Sequence, residues 1–107
     1  VLVTTIDRIP GKEITEVLGL VQGSTIRARH VGRDLLAGLR NVVGGEIKDY
    51  TQMLVQARQI AVERMVSEAK RLGADAVVGV RLTTAQTMAG AAEVLAYGTA
   101  VKLAPTD

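Results

Sequence analysis

Cysteine, phenylalanine and tryptophan are all absent from these 107 residues, and histidine occurs once, at His30. Without cysteine there is no disulfide framework, no thiolate metal site and no cysteine nucleophile. With only two tyrosines, the 48% of the chain that is hydrophobic is mostly Val, Ala and Leu. Such side chains bury little area each, at about 25 cal/mol per Å², so a core built from one copy is thin. A core shared between copies is the natural remedy, which points to homo-oligomerisation. The formal charge of +2 is too small to imply a nucleic-acid protein by itself. No apolar run reaches the roughly 20 residues that span a bilayer, and no signal peptide is read at the start. A soluble, cytoplasmic protein with no membrane partner is expected. The chain opens on Val1 rather than a methionine, which leaves room for residues upstream.

The length fits one domain, residues 1–107. Its strongest signal is a long helix. Tyr50, Met53, Leu54, Ala57, Ile60, Ala61, Met65, Ala69 and Leu72 follow the three-and-four spacing of one helical face. Asp49 and Gln52 are placed to cap its start, and Gly73 to stop it, with Lys70 and Arg71 favourable at the negative end of the dipole. Val55, Val62 and Val66 widen the apolar stripe. Either the domain's own elements flank the helix on both sides, or part of it packs on another subunit.

Around this helix the pattern is strand-like. Val1–Thr5 reads as a strand, and Pro10-Gly11 as a turn. Ile14–Val21 reads as a second strand, antiparallel to the first. Gly23–Val31 is a transition, and Val31–Val43 is a short helix weakened by Gly32 and Gly38. Ala74–Thr83 is expected to be a strand, with Ala76, Val78, Val80 and Leu82 on one face. Thr84–Ala92 is expected to be a loop, and Glu93–Leu103 a final strand. The fold class is α+β, a small antiparallel or mixed sheet packed on one long and one short helix. Gly19, Gly79 and Gly98 each fall inside a strand, where glycine weakens a sheet. They mark either bulges and close helix contacts or a small-residue track approached by a neighbouring subunit or a ligand.

Few residues carry chemistry. His30 has no local metal-ligand spacing around it. There is no HExxH, Walker-type loop or GxSxG. Arg27, Arg29, Arg33 and Arg40 make a basic segment that could meet an anion or nucleic-acid backbone, but the aromatic residues that stack on single strands are missing. Nucleic acid is therefore not the expected partner. Arg33, Asp34 and Arg40 form a candidate ion-pair group at a subunit contact. Asp75, just after the long helix, either orients an arginine or satisfies backbone amides.

Several segments together resemble the YbjQ-type family, bacterial proteins often labelled heavy-metal-binding. They are Thr4-Thr5, Gly11, Gly23, Arg33-Asp34, Ala37-Gly38, Arg40 and Val43-Gly44-Gly45. Tyr50, the run Leu72-Gly73-Ala74-Asp75-Ala76-Val77-Val78-Gly79 and Gly98-Thr99-Ala100-Val101 complete the set. The resemblance implies a dodecin-like α+β subunit assembled into a ring, most often a pentamer, two of which stack into a decamer. It implies no activity. The metal label fits poorly, because one histidine and no cysteine leave few soft ligands; no metal ligand is carried over, and the cofactor is unknown. The expectation is a non-enzymatic homo-oligomer that binds a small anion or a metal ion at subunit interfaces. The alternatives are an enzyme whose interface site uses Asp34, Asp75 and Arg40, or a weak nucleic-acid binder acting through residues 27–40.

Overall fold

The computed structural model describes residues 1–28, 45–88 and 90–106. They form β1 (Leu2–Val3), β2 (Lys12–Ala28), helix α1 (Gly45–Arg71), β3 (Ala76–Met88) and β4 (Ala91–Pro105). The strands make one four-stranded mixed sheet in the order β1-β3-β4-β2. β4 is central, antiparallel to β3 on one side and to β2 on the other. β1 pairs in parallel with β3 through Leu2↔Ala76 and Val3↔Val77. The first strand is thus not the antiparallel partner of the second. That expectation assumed that sequential strands pair across the Pro10-Gly11 turn, whereas β4 presents a far longer complementary edge to β2.

α1 packs on one face of β2 and β4, and the core lies between them. Ala57, Ala61 and Ala69 are fully buried at helical spacing beside Met65, the largest fully buried side chain among the described residues. They meet Val21 of β2, Val77 and Val80 of β3, and Val94, Ala96 and Ala100 of β4. Val62 and Val66 pack against this cluster as half-buried residues, so most of the wide stripe is used within the chain. Val55 remains 44% exposed. A second small cluster, Ala76, Val78 and Val101, sits on the opposite sheet face under Ile9 and Leu103.

The described helix already runs from Gly45, so Asp49 and Gln52 lie inside it rather than at its start. Glu46, Ile47 and Lys48 carry the helix across the expected boundary without a break, and an interior Asp costs only a fraction of a kcal/mol, roughly 0.7 at most. Its end is where the glycine signal put it. Gly73 takes φ +79°, and Ala74 N–H bonds back to Ala69 O at 3.0 Å. In the last turn Arg71 grips Glu68 at 2.6 Å. The hydrogen bond from Arg71, with its charge adding to it, holds the Glu68 carboxyl below the ordinary carboxylate range.

The strands outrun their sequence signals. β2 continues through the expected transition to Ala28, and β3 and β4 extend through most of the expected loop Thr84–Ala92. Backbone pairing with β4 supplies there what side-chain alternation does not. The faces also differ from strict alternation. Between Val78↔Thr99 and Arg81↔Tyr97 the ladder gains one residue on β3. This bulge at Gly79, with φ +63°, puts Ala76 and Val78 on one face and Val77, Val80 and Leu82 on the other. The short helix expected over Val31–Val43 lies outside the described residues.

The molecule measures 62 × 22 × 15 Å with a radius of gyration of 17.8 Å. A compact chain of this length would have about 13 Å. The long axis reflects β2, whose length at about 3.3 Å per residue approaches 56 Å.

The closest approach in the core is at Gly23. A Cβ there would collide with Ala61 O and Met65 N, backbone atoms of α1 that cannot move alone. Gly23→Ala is expected to lower stability by about 1–3 kcal/mol, and Met65→Ala by about 2–5 kcal/mol. Urea unfolding followed by circular dichroism measures both, and unchanged midpoints would contradict this packing.

Candidate functional site

The sheet face opposite α1 is read most directly from the cross-strand rows. Ile14 lies beside Leu103, Val17 beside Val101 and Leu20 beside Thr99. Further along, Gln22 lies beside Tyr97, Ser24 beside Leu95, and Ile26 beside Glu93. On the other flank of β4, Arg81, Thr83 and Ala85 continue the rows of Tyr97, Leu95 and Glu93. Ile9 and Leu103 cover only the end nearest the termini. The rest is open. Val17 is 65% exposed, Leu20 68% and Ile26 63%, on a face that also carries half-buried Leu95 and Tyr97. Single exposed apolar side chains are ordinary, but a series along one strand face forms an apolar patch.

A strap from the N-terminus binds one border of this face. Thr4 N–H bonds Val77 O, Gly79 N–H bonds Ile6 O, and Val80 N–H bonds Thr4 O, all at 3.0–3.1 Å. Arg81 closes the strap by donating from Nη1 to Thr5 O at 2.9 Å. Beyond it, the loop Ile6–Ile14 and Thr106 line a concavity of about 740 Å³. The volume suits a small molecule, but its walls carry Asp7 and Glu13 against Arg8 and Lys12, so they carry no net charge.

Asp75 sits where β1, β3 and β4 meet. Its backbone amide bonds Val101 O at 2.9 Å, its carbonyl accepts from Leu2 N–H at 3.1 Å, and its Oδ2 accepts from Leu103 N–H at 2.8 Å. The carboxylate is engaged with a backbone amide, the second of the two roles open to it. Arg33, Asp34 and Arg40 lie outside the described residues, as does His30. Arg27, one residue before the end of β2, is exposed and lies beside Ala92 on the helix side.

The three strand glycines differ in kind. A Cβ on Gly98 would come within 2.7 Å of Val77 Cγ1 and 3.1 Å of Val78 O, so crowding from β3 demands glycine there. Gly19 and Gly79 have open space around them within the chain and instead take positive φ, +118° and +63°. They sit at irregularities of the ladder, where the backbone requires that conformation. Gly23, where an added Cβ would meet the helix backbone, entered the sequence reading only through the family resemblance and not as a strand glycine. No local pattern marks it, because the clash comes from α1, distant in sequence.

A family model described as "Putative heavy-metal-binding", that of the YbjQ proteins, matches residues 1–104. The chain belongs to this family. A UPF0145 protein of Archaeoglobus fulgidus is 63% identical over 103 residues, covering 96% of this chain and 95% of that one. A UPF0145 protein of Thermus thermophilus is 58% identical over 105 residues, covering 98% and 92%. A crystal structure from Pediococcus pentosaceus, described as a protein with unknown function of the DUF74 family, superposes with a TM-score of 0.67. It covers 96% of this chain and 97% of its own, and at 18% identity it establishes likeness of fold alone.

The description of the family raises heavy metals directly. Soft ions are held by thiolates and imidazoles, and the chain has no cysteine and one histidine. Among the described residues no group of three or more His, Cys, Asp and Glu comes together. The described residues of the chain therefore do not fit a heavy-metal centre. Also among the described residues, no helix is long and apolar enough to cross a membrane.

If Asp75 works through its bond to Leu103 N–H, then Asp75→Asn, which keeps an acceptor, leaves stability nearly unchanged. Asp75→Ala then costs about 1–3 kcal/mol. Thermal unfolding of both variants checks this, and equal losses would assign the role to the charge instead.

Proposed function

We propose that the chain is a non-enzymatic, cytoplasmic homo-oligomer of dodecin-like subunits, assembled as a pentamer-type ring that binds a small anion or metal ion between subunits. The observation that carries this reading is the open sheet face, where Val17, Leu20 and Ile26 are each about two-thirds exposed. The elongated shape and the aromatic-poor core support it, since neither gives one copy a large interior.

Magnitudes favour more than one contact per subunit. Burying a Val, Leu or Ile side chain completely contributes about 1.5–3 kcal/mol, so these three, already partly covered, supply roughly 3–6 kcal/mol. Association costs about 4–15 kcal/mol in lost translational and rotational freedom. One such patch is marginal for a dimer. In a ring every subunit makes two contacts and closure ties them together, so a weak patch is used more effectively. A metal in this reading is held by hard oxygen donors contributed by more than one subunit, because one subunit offers no soft set.

Native mass spectrometry of the purified chain at micromolar concentration is expected to give a ring, with any retained ion or anion visible as added mass. A stable monomer would end the proposal. Leu20→Glu is expected to shift the spectrum towards monomer while the circular dichroism of the subunit stays the same, since Leu20 is 68% exposed and supports no interior contact.

A further inference from the structure

The Pro10-Gly11 turn frames a hollow whose backbone is held in place from several sides. Lys12 N–H donates to Ile9 O at 3.1 Å across the turn, and Gly11 takes φ +79° between them, the left-handed position of a type II turn. Thr106 N–H donates to Gly11 O at 3.1 Å, which ties the turn to the end of β4. At the start of the loop, Gly79 N–H donates to Ile6 O at 3.0 Å. Between these ties Ile9 is half-buried over Ala76, Val78 and Val101. The backbone around the concavity of about 740 Å³ is thus in place before anything binds.

The side chains along this wall are of three kinds. Ile6, Ile9 and Ile14 give it an apolar lining, with Ile6 52% and Ile14 39% exposed. Asp7 and Arg8 precede the turn and Lys12 and Glu13 follow it, so each limb of the loop brings one acid and one base. Among the described residues the ion pair is that of Arg71 with Glu68, and no side-chain hydrogen bond engages any of the four loop charges. Both signs are available to a ligand.

This lining discriminates between ligand classes. A metal ion or a lone anion meets as many like charges as opposite ones. An uncharged apolar body uses the isoleucines and leaves the four charges without a role. A small zwitterion with an aliphatic body matches all three kinds of side chain at once. We infer that the loop of residues 6–14 is a binding site for such a molecule, an aliphatic amino acid or a short peptide with free ends. Its ammonium group turns to Asp7 and Glu13, its carboxylate to Arg8 and Lys12, and its side chain to Ile6, Ile9 and Ile14. The site lies within one chain, so it does not rest on the ring reading, and its ligand differs from the ion of a single sign proposed there.

The test titrates the full chain with leucine and with dileucine, followed by amide NMR. Both carry free ends, and the tighter of the two tells an amino-acid site from a peptide site. Saturable shifts centred on residues 6–14 and Thr106 are expected, with a Kd at or below about 1 mM. N-acetyl-leucine lacks the ammonium and leucinamide lacks the carboxylate. Each is expected to bind at least about threefold more weakly than leucine, the scale of an exposed charge pair. Arg8→Gln with Lys12→Gln weakens leucine by a similar factor and does not weaken leucinamide. Asp7→Asn with Glu13→Gln weakens leucine and does not weaken N-acetyl-leucine. All four residues are exposed, so these variants keep the fold, and circular dichroism verifies this.

Shifts that fail to saturate by about 10 mM with both leucine and dileucine overturn the inference. Equal binding of leucine, N-acetyl-leucine and leucinamide also overturns it, because the hollow then acts through apolar contact alone. Saturable shifts centred on the sheet face around Val17 and Leu20 overturn it as well. None of these outcomes bears on the ring. A chain that is monomeric by native mass spectrometry and still binds leucine in this way keeps the site and ends the ring reading.

Discussion

The seating of α1 on the sheet at Gly23 is the contact on which the remaining structure depends. The absence of a side chain there lets the backbone of α1 at Ala61 and Met65 lie almost against β2. The distance is set by small residues on both sides, with Ala57, Ala61 and Ala69 on the helix facing Ala96 and Ala100 on the sheet. A composition without phenylalanine or tryptophan can close-pack only if its layers come this near. The poverty of the core and the closeness of the helix are therefore one constraint seen twice.

That constraint also explains what is left over. A helix drawn tightly onto one face of a long sheet covers that face and contributes nothing to the other. Ile9 and Leu103 cover the lower end of the opposite face, and the upper end keeps Leu20 and Ile26 in solvent. The elongated outline follows from the same economy, because a sheet with one helix grows along its strands rather than in depth. In the proposed assembly, contact between copies buries what one helix cannot.

The family label and the chain's own chemistry pull in different directions. Membership of a family described by heavy metals says what was suspected of its members, whereas affinity is decided by donor atoms. The described donors are dispersed, and the carboxylate that stood out, Asp75, is committed to a backbone amide in a junction of strands. The most distinctive surface is apolar and hydrogen-bonding rather than ligating.

Local signals in the sequence determined a good part of this protein. Three-and-four spacing from Leu54 to Leu72 located the helix, Gly73 located its end, and β-branched alternation located the last two strands. Each depends on neighbours a few residues away, so each is legible in one dimension. Gly79 was legible as an oddity and a candidate bulge in a strand, but the change of face that the bulge imposes on Val80 and Leu82 was not. What the tertiary structure alone decided was pairing and approach. β4 became central because it can pair along both edges, β1 joined β3 because the strap returns over Gly79, and Gly23 was required because α1 passes directly above it. These outcomes turn on contacts between residues tens of positions apart, and a sequence carries no local mark of a neighbour it meets only after folding.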